Sequence, residues 1–310
     1  MARPFTDIRI GGWIDRQLPD PWRPYGRLMR LDRPIGTWLL LLPCWWGLAL
    51  AERPDGAAWP SLWLALLFAI GAFVMRGAGC TVNDLVDAEF DARVERTSIR
   101  PIPSGEVSKF RALVLLLCLM LVGLIILLQF NMMTVWLGVA SLALVFPYPL
   151  MKRVTYWPQL WLGLTFNWGA LMGWSAVTGS IFGPENWPAW LLYVAGIFWT
   201  LGYDTIYAHQ DKEDDALIGV KSTALRLGAA SRRWIAGFYA ITILLLAAAI
   251  AGASLNPWAF AILGLAAIQL CWQVAAWRMD EPADSLAKFQ SNTGFGLLVT
   301  LALVVGQAVN

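Results

Sequence analysis

The chain has 310 residues, 58% of them hydrophobic and only 14% charged, with a mean hydropathy of +0.57 and a formal net charge of +2. A soluble domain carries roughly 25% charged residues, so the composition excludes an ordinary water-soluble globule, and the near-neutral balance excludes a global basic field for nucleic acid. A single histidine, His209, excludes a zinc site built on several histidines.

Residues 1–33 hold Asp7, Asp15, Asp20 and Asp32 among prolines and arginines, with no early apolar stretch. They do not read as a signal peptide, and the acids argue against a mitochondrial transit peptide. The expectation is a short polar or amphipathic leader on the cytoplasmic side, followed by one intramembrane domain over 34–310. A bilayer crossing needs about 20 apolar residues. Nine runs meet that need: Ile35–Ala51, Trp59–Val82, Ala112–Phe130, Met132–Leu150, Trp157–Val177, Trp187–Tyr207, Ile235–Ala253, Trp258–Trp277 and Gly294–Val309. The third and fourth divide at "QFNMM", because a single run through it would be too long for one crossing. The expected fold is an all-α polytopic membrane bundle of nine transmembrane helices with two cytoplasmic cap loops.

The basic residues order these runs. Of the 23 lysines and arginines, 21 lie in the leader or in the connections after the second, fourth, sixth and eighth runs. The opposite connections hold only Arg53, and Arg76 lies inside the second run. By the positive-inside bias the N-terminus and that set of connections are cytoplasmic. Two of them, 83–111 and 208–234, are long and charged, as functional caps are. Many of the 19 tryptophans flank runs, among them Trp59, Trp157, Trp187, Trp190, Trp258 and Trp277, which reads as interfacial anchoring. Cys44, Cys80, Cys118 and Cys271 sit in or beside apolar runs and read as small buried hydrophobes.

Chemistry concentrates where two runs end. "NDLVDAEFD", residues 83–91, closes the second run. If that helix continues, Asn83, Asp87 and Asp91 fall at i, i+4 and i+8 on one face; Asp84 flanks them and Glu89 points to water. "YDTIYAHQDKEDD", residues 203–215, closes the sixth, with Asp204, Asp211 and Asp215 at i, i+7 and i+11. Carboxylates crowded on one face repel one another and their pKa values rise; a divalent cation removes the conflict. All-oxygen ligand sets favour magnesium or calcium, and magnesium typically combines one or two carboxylates with substrate phosphate oxygens. Two such clusters on one side of the membrane could grip a diphosphate through bridging magnesium ions. Arg33, Arg93, Arg96, Arg100, Lys152 and Arg153 would complete the clamp. A lone acidic cluster at a helix end is more often a solvated surface; two matched clusters favour a site. Asp204 stands out because an acid within a membrane run is costly and functional by default. Arg76 also lies deep in a run, either as partner to an acid or as a substrate group. No GxxxxGK loop supports a P-loop.

"NDLVDAEFD" resembles the NDxxDxxxD motif of the intramembrane aromatic prenyltransferases, the UbiA superfamily. "RTSIRPIPSGEVS" at 96–108 is similar to the segment that follows that motif, and "YDTIYAHQDKEDDALIGVKSTALRLG" at 203–228 to the second acidic motif with its flanks. "RLMRLDRPIGTWLLLLPCWWGL" and "YPLMKRVTYWPQ" look like the subfamily that prenylates 4-hydroxybenzoate in ubiquinone synthesis. The likeness spans residues 27–300 and departs at His209–Gln210, a position read as tolerant. It implies a nine-helix fold with a central cavity. It also implies magnesium-dependent transfer of a polyprenyl group from its diphosphate to C3 of 4-hydroxybenzoate. Carried over by motif, Asn83, Asp87 and Asp91 would serve a first Mg2+ site and Asp211 and Asp215 a second. Asp204 would be an activity-linked acid, Arg33, Lys152 and Arg153 would meet diphosphate or the aromatic carboxylate, and Tyr148 would line the cavity. The implied setting is a bacterial inner membrane, with the active site facing the cytoplasm.

Rival classes leave marks that are weaker here. A transporter would place acids near mid-bilayer, whereas these cluster at run ends. A CDP-alcohol phosphatidyltransferase would carry DGxxAR, and "ARVER" after Asp91 lacks its glycine. Haem O synthases and naphthoate prenyltransferases share the first motif, but the 203–228 segment argues against them.

Overall fold

The structure, a computed structural model, describes residues 11–53, 56–92 and 97–309. Among them every regular element is a helix. The chain forms two compact units, Met1–Trp38 with Ala69–Gln129 and Leu39–Phe68 with Phe130–Asn310.

In the first unit the leader folds as short helices, α1 (Trp13–Gln17) and α2 (Arg23–Leu28), before α3 begins at Ile35. Arg27 ties the leader down through Asp15 at 2.6 Å and Glu106 at 3.3 Å. Leu28 is fully buried among Ala88, Ile102, Val107 and Ala112. Helix α2 ends in a Schellman turn: Leu31 N–H donates to Gly26 O and Arg30 N–H to Arg27 O, both at 3.0 Å. The left-handed residue of such a turn is usually glycine. Here it is Arg30, at φ 57, a conformation that costs an L-residue about 1–2 kcal/mol. Helix α4 (Leu62–Val86), whose residues from 69 on belong to this unit, is followed by α5 (Ala88–Asp91) and α6 (Lys109–Leu127). Ser108 caps α6, accepting from Arg111 N–H at 3.2 Å. Val74 and Ala78 of α4 pack on Leu119 of α6. The other side of α6 exposes Leu113, Leu117, Leu121 and Leu124, an apolar stripe of the kind a lipid-facing helix carries.

The second unit holds the rest of α3 (Ile35–Leu50) and the helices from α7 on. These are α7 (Met132–Val145), α8 (Tyr148–Val154), α9 (Pro158–Phe166), α10 (Trp168–Thr178) and α11 (Trp187–Ala208). After them come α12 (Lys212–Ile218), α13 (Thr223–Leu227), α14 (Ser231–Gly252), α15 (Trp258–Ala276) and α16 (Pro282–Ala308). Helices α3 and α10 touch backbone to backbone: a methyl on Gly47 would meet Ala170 O, and one on Gly173 would meet Cys44 O. Small residues permit that approach in a membrane. Helix α11 is the centre of the unit, packed on α9, α14 and α16. Trp46, Trp199 and Phe295 stack around it, and Trp199 Nε1–H donates to Asn292 Oδ1 at 2.8 Å.

Among the described residues six segments are long and apolar enough to cross a bilayer: Leu62–Val86, Lys109–Leu127, Met132–Val154, Thr223–Gly252, Trp258–Ala276 and Pro282–Ala308. The other three expected spans are helical in different ways. The first is the 16-residue α3, carrying Pro43 inside it. The fifth breaks into α9 and α10 at Asn167, which is 1% exposed and donates to Gly163 O at 2.9 Å and Thr200 Oγ1 at 2.8 Å. Broken backbone is tolerated at membrane depth where protein buries it. The sixth, α11, is continuous but mixes Tyr193, Thr200, Tyr203 and Asp204 into its apolar residues. The division at "QFNMM" holds, with Asn131 capping α7 by accepting from Thr134 N–H at 3.0 Å.

Three expectations need correction. The last helix starts at Pro282, not Gly294, because Lys288 and Asp284 neutralise each other inside it at 3.0 Å. Trp277 is no interfacial anchor; it is 1% exposed and donates to Ser285 Oγ at 3.0 Å. Of the four cysteines, Cys118 and Cys271 are exposed rather than buried, since both lie on apolar helices.

Candidate active site

Helix α4 carries Asn83 and Asp84 beyond its apolar stretch and ends at Val86; the chain bends at Asp87 and α5 resumes. The i→i−4 hydrogen bonds run through the bend, Asp87 N–H to Asn83 O at 2.9 Å and Asp91 N–H to Asp87 O at 2.8 Å. The expected register of Asn83, Asp87 and Asp91 therefore survives in the backbone, although the helix does not run unbroken. Asp84, Asp87 and Asp91 are 1%, 4% and 5% exposed, which sets aside the solvated-surface reading for this motif. Glu89 differs, with its side chain 87% exposed and Lys109 3.3 Å away.

Buried carboxylates are costly unless paired, and arginines supply the pairing. Arg100 Nη1 donates to Asp91 Oδ2 at 2.7 Å and lies 3.5 Å from Asp84 Oδ1. Arg30 Nη2 donates to that same Asp84 oxygen at 3.0 Å. Thr97 Oγ1 donates to Asp91 O at 2.9 Å, which ties the 97–107 segment to the end of α5. Arg100, expected among the substrate-binding cations, thus stands on the acids themselves. Asp84, expected only as a flank, is the most buried of them. Arg30 was not singled out by sequence reasoning at all. Its signals, the left-handed φ and the partner more than fifty residues away, leave no local pattern.

Arg33 Nε lies 3.7 Å from Asp32 Oδ2. Arg93 and Arg96 lie outside the described residues. Arg76 packs its guanidinium on Gly36, where a methyl would collide with it. Its Nε is buried with no hydrogen-bond partner. Arg76 precedes Asn83 by seven residues, two helical turns or about 10 Å along one face of α4.

The second motif is less regular than expected. Asp204 lies in α11, a 3₁₀ turn spans His209–Asp211, and α12 carries Asp215. A 3₁₀ turn winds at 3.0 residues per turn, so Asp204, Asp211 and Asp215 do not share one continuous α-helical face. All three are half-buried. The turn is pinned by His209, whose Nε2 is 2.9 Å from Ser231 Oγ and whose ring meets Trp277 edge-on at 4.9 Å. Burial pushes this imidazole down to about 4, with Lys212 adding to the shift and Asp280 opposing it; it is neutral at pH 7. His209 is therefore a buried, bonded anchor and not the tolerant position the sequence suggested. Beyond α12, Lys221 N–H donates to Lys152 O at 2.8 Å and Thr223 N–H to Gln159 Oε1 at 3.1 Å. The first bond ties α8, with Tyr148, Lys152 and Arg153, and the second ties α9, to the chain leaving the second motif.

Among the described residues no three acidic, histidine or cysteine side chains converge closely enough to hold a metal unaided. The donors in each motif are hard oxygens. Magnesium commonly takes only one or two protein carboxylates and completes its shell with water and substrate phosphate, so each donor set fits such an ion without forming a full cage.

The UbiA prenyltransferase family profile matches residues 40–299. The chain is 49% identical over 301 residues to the mitochondrial 4-hydroxybenzoate polyprenyltransferase of Arabidopsis thaliana, covering 97% of this chain and 73% of that one. It is 49% identical over 290 residues to the Homo sapiens protein of that name, covering 93% and 76%. Among solved structures, an apo UbiA homolog from Aeropyrum pernix K1 matches with a TM-score of 0.70 at 25% identity, over 88% of this chain and 97% of that one. A UbiA homolog from Archaeoglobus fulgidus bound to GPP and Mg2+ matches with a TM-score of 0.63 at 18% identity, over 92% and 99%. The relatives are mitochondrial enzymes of eukaryotes. They overturn the expected bacterial inner membrane, and with it the cytoplasmic-facing site, while the multi-pass membrane character stands.

Proposed function

The chain belongs to the UbiA prenyltransferase family, and from that premise we infer that it transfers a polyprenyl group from polyprenyl diphosphate to C3 of 4-hydroxybenzoate, a step of ubiquinone synthesis. Near-half identity to enzymes of that name, over almost the whole chain, is the observation that carries the reading. We assign Asn83, Asp87 and Asp91 to one divalent-cation site and Asp211 and Asp215 to a second, with the diphosphate as the ligand both serve. The metal is Mg2+, the ion the oxygen donors suit. When bound, it would offset the charge that builds on the departing diphosphate.

The chain's own groups do the remaining work. Arg33, Lys152 and Arg153 attract the diphosphate, and Arg100 holds Asp91 in place. Arg76 receives the carboxylate of 4-hydroxybenzoate: its buried Nε has no hydrogen-bond partner, a cation within a membrane helix calls for an anion, and its two-turn distance from Asn83 suits a benzoate ring. Tyr148 lines the wall of the site and shields the developing allylic cation from water. The allylic C–O bond breaks, with its electron pair leaving on diphosphate. The ring carbon ortho to the phenol forms the new C–C bond, and that carbon then loses its proton to restore aromaticity. Asp204 orients or deprotonates the phenol.

Incubating the purified protein with 4-hydroxybenzoate, a polyprenyl diphosphate and magnesium should give a product alkylated at C3, identified by mass and NMR. Arg76→Leu should raise the KM for 4-hydroxybenzoate while leaving that for the prenyl donor near wild type. Prenylation of 1,4-dihydroxy-2-naphthoate in preference to 4-hydroxybenzoate would defeat the acceptor assignment.

A further inference from the structure

We propose that Arg30 is a positioning residue for the first acidic motif: its guanidinium fixes Asp84 and, through Arg100, sets the placement of Asp91. The proposal rests on the assignment of Asp91 to the cation site. It starts from a conflict in the backbone. Arg30 occupies the left-handed position of the turn that ends α2, at φ 57. Glycine fills that position without strain. If ending the helix were the only need, glycine would meet it better than arginine does.

The side chain accounts for the choice. Arg30 Nη1 donates to Arg27 O at 3.3 Å, folding the guanidinium back over its own helix end. Its Nη2 donates to Asp84 Oδ1 at 3.0 Å, where the Asp84 side chain is only 2% exposed and that of Arg30 13%. The same Asp84 oxygen lies 3.5 Å from Arg100 Nη1, and that nitrogen is 2.7 Å from Asp91 Oδ2. The Asp84 carboxylate thereby joins the leader, α4 and the 97–107 segment, and Arg100 carries the link on to Asp91 of α5. The docking of Leu28 against Ala88, Ile102 and Val107 holds the leader on the very segments whose charges it orders. Groups that orient a metal ligand through a second side chain are commonly worth 10–100-fold in metal affinity or activity.

The test uses the full chain in detergent–lipid micelles and compares wild type, Arg30→Gly, Arg30→Lys and Arg30→Gly combined with Asp84→Asn. One readout is the magnesium concentration needed to raise the unfolding temperature in the presence of inorganic diphosphate, which requires no turnover. The other is the prenyl-transfer rate against magnesium. Arg30→Gly relieves the left-handed strain but strands the buried Asp84 carboxylate, so it should unfold lower than wild type, and adding Asp84→Asn should restore much of that loss; both variants should need about tenfold more magnesium in both assays. The KM of Arg30→Gly for 4-hydroxybenzoate should not move. Arg30→Lys should recover part of the effect, and the double variant should be no worse than Arg30→Gly alone. Wild-type magnesium dependence in Arg30→Gly, or a magnesium requirement that returns to wild type together with the unfolding temperature in the double variant, would overturn the proposal. A wild-type protein that stabilises with magnesium and diphosphate but makes no product would instead refute the acceptor chemistry. A wild type that responds in neither assay would remove the cation site, and this inference with it.

Discussion

Asp87 and Glu89 are two residues apart and have opposite fates. Asp87 is 4% exposed and in register with Asn83 and Asp91, whereas the Glu89 side chain is 87% exposed and meets Lys109 at the surface. Spacing alone separates them, so this part of the site was legible in the sequence. Asp87→Asn should lower kcat on the order of 100-fold, the scale of losing a preorganised charge-stabilising group. Glu89→Gln should stay within about 1 kcal/mol of wild type in stability, as exposed ion pairs do, and keep its activity. Equal losses in both variants, read in the same transfer assay, would contradict the sorting. Arg30 and Asp84 were not legible in this way. Their contact spans 54 residues, and nothing in an arginine's identity marks a left-handed φ.

Helices were the easiest elements to read, because run length and hydropathy report burial in lipid directly. Charge misled where it was paired inside the protein. "DEPADSLAK" reads as a polar connection, yet Asp284 and Lys288 lie within α16 at 3.0 Å, with Trp272 beneath the ammonium at 4.6 Å and Arg278 N–H on the second carboxylate oxygen at 2.8 Å. Removing one partner of a buried pair strands the other. Lys288→Met should therefore destabilise the protein by about 3 kcal/mol, and adding Asp284→Leu should recover much of that loss. Unfolding temperatures of the single and double variants check this; an unaffected single variant would show that the pair is not buried. The break at Asn167 escaped the sequence for a related reason. A polar residue in an apolar run shows that something is bonded there, not that the helix stops, and its partner Thr200 lies 33 residues on.

For the molecule as a whole, composition separated a membrane enzyme from a soluble one, and the side-by-side distribution of lysine and arginine gave a consistent sidedness. Sidedness does not say which membrane. The bilayer sets the same length and polarity rules in a bacterium and in a mitochondrion, so the expected bacterial inner membrane was overturned only by the mitochondrial relatives. The chemistry suits such a setting: a polyprenyl tail belongs among apolar helices, and its diphosphate belongs at their charged ends. The most direct measurement is product formation from 4-hydroxybenzoate and polyprenyl diphosphate by the protein in liposomes, followed as EDTA is added and magnesium is then restored. On the proposed function, 3-polyprenyl-4-hydroxybenzoate should form with magnesium, not after chelation, and again once the ion is added back. Turnover that persists through chelation, or no prenylated 4-hydroxybenzoate at any magnesium concentration, would contradict it.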